Sequence, residues 1–277
     1  MSGIKESTKT SSKSEKIPEC INSVSAFEFP QDRPDYVDKT MLIKELIHDN
    51  NVLIKDPSRF DKTLNMDMVR RFVEIEMDKN GKPIKLDLDK DGFLKNNQKQ
   101  SSNFKYFKGQ KICNKKQFML ENFGKYPTIN VDFSSVEGDS YKEVLDGLRT
   151  VLHKAFLQHS YLENSSLWDN SVYDKMIFRK YFDELESKSL DLEAIKSGLP
   201  ILARYLYVYH GRPVFLFINE CDVPMNSMAF DDSTSSKSRE RSMKFLRKNV
   251  KKFFKGSSQF ATRSLSNVCE KLGGILR

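Results

Sequence analysis

The chain has 277 residues, 38% of them hydrophobic and 11% aromatic, with a single Trp and a net charge of +8. That apolar content supports one sizeable core. No apolar run approaches the ~18 residues that cross a bilayer, and the N-terminus lacks the apolar stretch of a secretory signal. A membrane-spanning or secreted protein is therefore not expected, and a cytoplasmic or nuclear location is. The four cysteines, Cys20, Cys113, Cys221 and Cys269, are far apart and show neither CxxC nor Cys/His spacing, which argues for reduced thiols over a zinc site or a disulfide framework.

Residues 1–24 are rich in Ser, Lys, Thr and Glu with almost no apolar periodicity, so they cannot bury enough surface to offset the entropy of ordering. They are read as a disordered polar tail, and residues 25–277 as one domain. In "DKTMLIKELIHD", Met41, Leu42, Leu46 and Ile47 share a helical face and Asp38 is placed to cap it. Val52, Leu53 and Ile54 form a short apolar run suited to a buried strand. A loop follows, then "TLNMDMVRRFVEIE", whose Leu64, Met68, Phe72 and Ile75 recur every three or four residues as in a helix. Strand, loop, helix is the order in which a chain cradles phosphate, with backbone N–H groups at the helix N-terminus pointing at the anion.

Residues 76–116 are polar and irregular and read as an insertion outside the sheet, partly ordered around Phe104, Tyr106 and Phe107. Within it Asp87, Asp89, Asp91 and Gly92 match the first half of a calcium loop, but its twelfth position is Gln98 in place of a bidentate Glu. An acidic turn is the better reading. The core pattern resumes at residues 126–133, "YPTINVDF", which alternates as a strand does. Helices are expected next: one with Val144, Leu148, Val151, Leu152 and Ala155 on its apolar face, one over residues 173–185, and one over residues 192–210. After the Gly211, Arg212, Pro213 turn comes the continuous apolar run Val214 to Ile218, as expected of a strand buried on both faces of a parallel sheet. Strands alternating with helices make the fold α/β with a mainly parallel sheet.

Ligands of open α/β sheets bind beyond the carboxyl ends of the strands. Asn219, Glu220 and Asp222 stand at the end of the buried strand and Lys62 and Thr63 at the strand-to-helix junction, so the two groups are expected to face one another. Residues 237–255, "KSRERSMKFLRKNVKKFFK", hold nine Lys/Arg and one Glu. This one segment accounts for the whole net charge. Met243, Leu246, Val250, Phe253 and Phe254 recur at helical spacing, giving an amphipathic helix whose cationic face suits nucleic acid or an anionic surface, or which simply covers the core.

Four motifs occur in one order: "YVDKT" at residues 36–40, "DPSRFDKT" at 56–63, "NECDVP" at 219–224 and "GGILR" at 273–277. In these the chain resembles the predicted AAA-ATPase-like family of P-loop proteins, whose members carry "YVDKT", a phosphate loop "RPRRFGKT", a strand ending "DEYD.P" and a "TGILR" strand. The resemblance implies a P-loop NTPase fold of AAA type that binds ATP and magnesium. It places Arg59, Asp61, Lys62 and Thr63 in the phosphate loop, Thr63, Asn219 and Asp222 on the magnesium side, and Glu220 as the base for the attacking water.

The departures from the family pattern lie at the Walker A and Walker B positions themselves. Asp56 replaces an Arg and Asp61 a Gly, bringing two carboxylates to a loop built for a polyanion. Asn219 keeps an oxygen but loses the charge of the magnesium-side Asp; Cys221 replaces a Tyr, and Gly273 a Thr. The chain stops at Arg277 where relatives continue, so a lid and the nuclease-like domain of some relatives are expected to be absent. The expectation is a nucleotide-binding module with a decayed site, weak ATP binding and little or no hydrolysis, acting through a protein partner. Two alternatives stay open: an active magnesium-dependent ATPase using Lys62, Thr63 and Glu220, and a nucleic-acid or anion-binding protein acting through residues 237–255.

Overall fold

The computed structural model of the chain describes residues 37–48, 51–56, 62–84, 86, 101–136, 138, 140–220, 223 and 263–269. Among them, strands β1 (Asn51–Asp56), β2 (Thr128–Asp132), β3 (Phe215–Asn219) and β4 (Arg263–Cys269) form one sheet in the order β1-β4-β3-β2. Every neighbouring pair is parallel. The chain thus leaves β1 for the far edge of the sheet, returns inward through β3, and inserts β4 between β3 and β1.

Strand β3 is buried throughout, as its unbroken apolar sequence requires. Its side chains divide by parity between two cores. Leu216 and Ile218, with Ile129 and Val131 of β2, pack among the helices α5 (Tyr141–Leu157), α6 (Val172–Phe182) and α8 (Leu192–His210). Phe215 and Phe217 enter the opposite core, made with α1 (Leu42–His48), α2 (Lys62–Val73), α3 (Phe104–Phe107) and α4 (Lys116–Asn122). Helices therefore cover both faces of the sheet, and the connections after β1 and after β2 run on opposite sides.

The helices of the first core match the sequence pattern closely. All five residues expected on the apolar face of α5 are buried, and the helix opens with a reciprocal capping box between Ser140 and Glu143. Asp191 caps α8, and Gly211 ends it at φ 62°, a left-handed angle that Gly adopts without the clash a Cβ brings. The helix expected over residues 173–185 is two: α6 stops at Phe182, and the Asp183 carboxylate accepts the N–H groups of Leu185 (2.9 Å) and Glu186 (3.0 Å) to start α7 (Glu184–Ser187).

The second core corrects several details. In α1 the buried side chain is Ile43, beside Leu46 and Ile47, while Met41 and Leu42 are half-buried. Asp38 binds the turn that leads into α1. Its carboxylate accepts from the Thr40 N–H (2.9 Å), the Thr40 hydroxyl (2.6 Å) and the Lys111 N–H (2.7 Å), while Thr40 Oγ1 accepts the Ile112 N–H (3.2 Å). The "DKT" part of the first motif is thus a clip that holds the 3-10 turn Lys111–Asn114 to the start of the domain. Helix α2 buries Met66, Met68, Val69, Phe72 and Val73 and ends before Ile75. Within residues 76–116, helix α3 and the 3-10 turn form an ordered layer against α2, extended by α4.

Strand β4 was not read from the sequence. "RSLSNVC" alternates apolar and polar residues weakly and sits ahead of the "GGILR" motif, which lies outside the described residues, as do residues 87–98 and 237–255.

Candidate functional site

The orientation of α2 decides what stands at the carboxyl end of the sheet. Phe72 on this helix is enclosed by three rings from the following segment: Phe107 (5.4 Å between centroids), Phe118 (5.7 Å) and Phe123 (5.4 Å). Polar contacts reinforce the docking. Glu76 accepts the Ser102 N–H (2.8 Å) and the Asn103 N–H (3.2 Å) at the start of α3, and Arg71 donates to Asn103 Oδ1 (3.1 Å) while lying over the Tyr106 ring (4.6 Å). These contacts hold the last turn of the helix and the chain just beyond it. Its N-terminus is left at the carboxyl end of the sheet, beside the end of β3.

Lys62 is the first residue of α2 and Thr63 the second, and the first turn contains no acid. The N-terminal N–H groups and the helix dipole therefore present a positive end at the sheet edge. The nearest acid along α2, Asp67, is engaged by Arg70 and Arg71 (3.1 Å). Burial pushes the Asp67 carboxyl up, but the two guanidinium groups outweigh it and hold the group below the usual carboxylate range.

Opposite this end, the Thr63 hydroxyl donates a long hydrogen bond, 3.4 Å, to Asn219 Oδ1. The two residues are 156 positions apart in sequence, so this contact joins the strand-to-helix junction to the end of β3. Thr63 is exposed, whereas Asn219 is only 8% accessible. Glu220 follows in the left-handed region at φ 51°, among the described residues the one non-Gly residue with positive φ. Its carbonyl accepts the Val223 N–H (3.1 Å), closing a turn. A side chain bearing a Cβ costs roughly 1 kcal/mol or more in this conformation.

Of the residues singled out from sequence, the structure brings together Thr63 and Asn219, with Glu220 adjoining Asn219 and Lys62 adjoining Thr63. Arg59, Asp61 and Asp222 lie outside the described residues. Two residues at this edge were missed. Asp132, the last residue of β2, pairs in register with Asn219. Asn267 of β4 pairs with Ile54 of β1, one step past the Ser266 that pairs with both Leu53 and Ile218. Asp132 was visible as the acid ending an alternating strand; what the sequence lacked was the partner strand that gives it its place.

At the carboxyl end of the sheet, the N-terminus of α2 thus faces polar residues that end a parallel strand, the place where ligands of open α/β sheets bind. The family model described as predicted AAA-ATPase matches residues 24–269. The chain belongs to this family. No curated protein and no solved structure matches it. Membership in the predicted AAA-ATPase family points to a nucleotide-binding module and, more generally, to the use of a nucleotide with Mg2+. Among the described residues no helix is long and apolar enough to cross a membrane.

Proposed function

We propose that this protein is a P-loop nucleotide-binding module whose site has decayed, so that ATP binds weakly and is hydrolysed slowly or not at all, and that it acts through a protein partner. The observation that carries the reading is the 3.4 Å contact between Thr63 Oγ1 and Asn219 Oδ1. Two oxygen donors stand where the family pattern calls for a hydroxyl and a carboxylate, and oxygen donors suit Mg2+. Their chemistry fits the ion, but Asn219 gives it an uncharged oxygen in place of an anion, so it is held less firmly.

On this reading Lys62 and Arg59 neutralise the phosphates, and Thr63, Asn219 and Asp222 hold Mg2+, which when bound neutralises charge on the phosphate oxygens. Glu220 orients and deprotonates water. Its left-handed backbone supports a functional role, since strain of this kind persists where the surrounding structure requires it. Asp61 works against binding. It places a like charge in the loop that receives the polyanion, at a cost of about 1 to 4 kcal/mol for a contact near 4 Å.

Calorimetric titration of Asp61→Gly beside the unaltered chain tests the proposal. Removal of the carboxylate should tighten ATP binding by ~10-fold or more. Equal affinities would show that Asp61 does not weaken the site.

A further inference from the structure

We infer that Asp132 supplies the negative charge that Asn219 no longer provides, by holding a water bound to the nucleotide's divalent cation. This rests on the nucleotide reading above and adds to it a residue that neither the sequence motifs nor the family pattern assigns.

The placement follows from the sheet. β2 and β3 pair in parallel register from Thr128↔Phe215 to Asp132↔Asn219. Residues paired across a parallel ladder share a face, and successive residues alternate. Val131 and Ile218 both enter the core beneath α5 and α8, while Phe217 enters the core beside α2. Asp132 and Asn219 therefore both belong to the α2 face, on which Asn219 meets Thr63. Neighbouring strands are ~4.8 Å apart, a distance that one water molecule bridges between carboxylate and cation.

Three features suit Asp132 to this role. It is exposed at the strand end, whereas Asn219 is buried. Its Oδ1 accepts the Ser134 N–H (2.8 Å), which fixes the carboxylate at the sheet edge. Finally, Asp67, the acid on the facing helix, is engaged by Arg70 and Arg71. The β2–β3 ladder continues past Asp132 through the Phe133 N–H to Asn219 O bond (3.0 Å), so the backbone holding the two side chains level is itself constrained.

The test uses the full chain and compares ATP binding with and without Mn2+, read by calorimetry and by the electron paramagnetic resonance of Mn2+. The variants are Asp132→Asn, Asn219→Asp and the two combined. Asparagine at position 132 keeps an oxygen for the Ser134 N–H, so the turn survives while the charge is lost. The ratio of metal-loaded to metal-free ATP affinity should fall ~5-fold in Asp132→Asn, and by less than ~2-fold when Asn219→Asp restores a carboxylate on β3. An unchanged ratio in Asp132→Asn, with ATP still bound, would overturn the assignment and leave the nucleotide reading intact. Failure of every variant to bind ATP, with or without metal, would overturn both.

Discussion

Acidification from pH 7 to pH 4.5 should destabilise this protein through two buried histidines, His159 and His210, of which His159 is the more strongly perturbed. His159 is 7% accessible, at the end of the sheet opposite the candidate site. Its Nδ1 lies 3.2 Å from the Tyr161 hydroxyl, which lies 2.9 Å from Nε2 of His210. Tyr209 packs against Tyr161 and His210, and Glu74 acts on the Tyr161 hydroxyl electrostatically. Burial, followed by the neighbouring His210, pushes His159 down from 6.5 to about 3; burial pushes His210 down to about 4. The unfolded chain therefore takes up protons below 6.5 that the folded chain refuses. Stability is full above that value and falls with pH until about 3. At pH 4.5, about two units below the unfolded value, His159 alone should cost roughly 2 to 3 kcal/mol. Urea unfolding of the unaltered chain and of His159→Phe, at several pH values between 7 and 4.5, isolates this contribution. The Glu74 carboxyl, raised by burial, slopes the opposite way, and it is present in both chains. The gap between the two stability curves should change by ~2 to 3 kcal/mol over the window. Parallel curves would show that His159 titrates normally and that its burial carries no such penalty.

Phe217 is fully buried in β3, stacked 6.1 Å from Phe215, so Phe217→Ala should cost ~3 to 5 kcal/mol in chemical denaturation. Lys62→Ala is expected to leave the melting temperature nearly unchanged; a loss of stability that grows from pH 5 to pH 8 would instead identify Lys62 as a counter-ion to acids that the sequence pattern brings to this end of the sheet. At Glu220, φ 51° predicts that Gly is tolerated or slightly stabilising and that Val lowers stability by about 1 kcal/mol or more, measured by thermal melting. If residues 237–255 bind nucleic acid, reversing Lys248, Lys251 and Lys252 should weaken binding and flatten its salt dependence, whereas unchanged binding in a filter assay would remove the segment from that role.

Much of this molecule was legible because its elements carry periodic burial. The stripe on α5 and the unbroken run of β3 each have one arrangement that hides them. Bounds went astray where a local polar group intervened, as at Asp183, whose side chain starts a new helix. The face expected for α1 was right but incomplete: Leu46 and Ile47 are buried and Met41 and Leu42 pack against the same core, which also takes Ile43 because adjacent apolar residues widen the stripe of so short a helix. The ordered layer of residues 101–123 was underread because its cohesion comes from Phe72 in a preceding helix, a long-range contact that local composition cannot signal. At the candidate site, Thr63 and Asn219 were expected to face one another and do. Asp132 and β4 escaped notice for one reason: their significance lies in strand order, with β4 inserted between β1 and β3, and order is set by pairing across the sheet.

The central claim is that the helix N-terminus at Lys62 and Thr63 still faces the end of β3 but binds its nucleotide poorly, because Asp61 repels it and Asn219 lacks a charge. Isothermal titration of the unaltered chain with ATP in the presence of Mg2+ measures this directly. The account predicts measurable binding with a dissociation constant of about 1 mM or weaker; a value below about 10 μM would contradict it and favour the active ATPase, and no binding at all would contradict it as well.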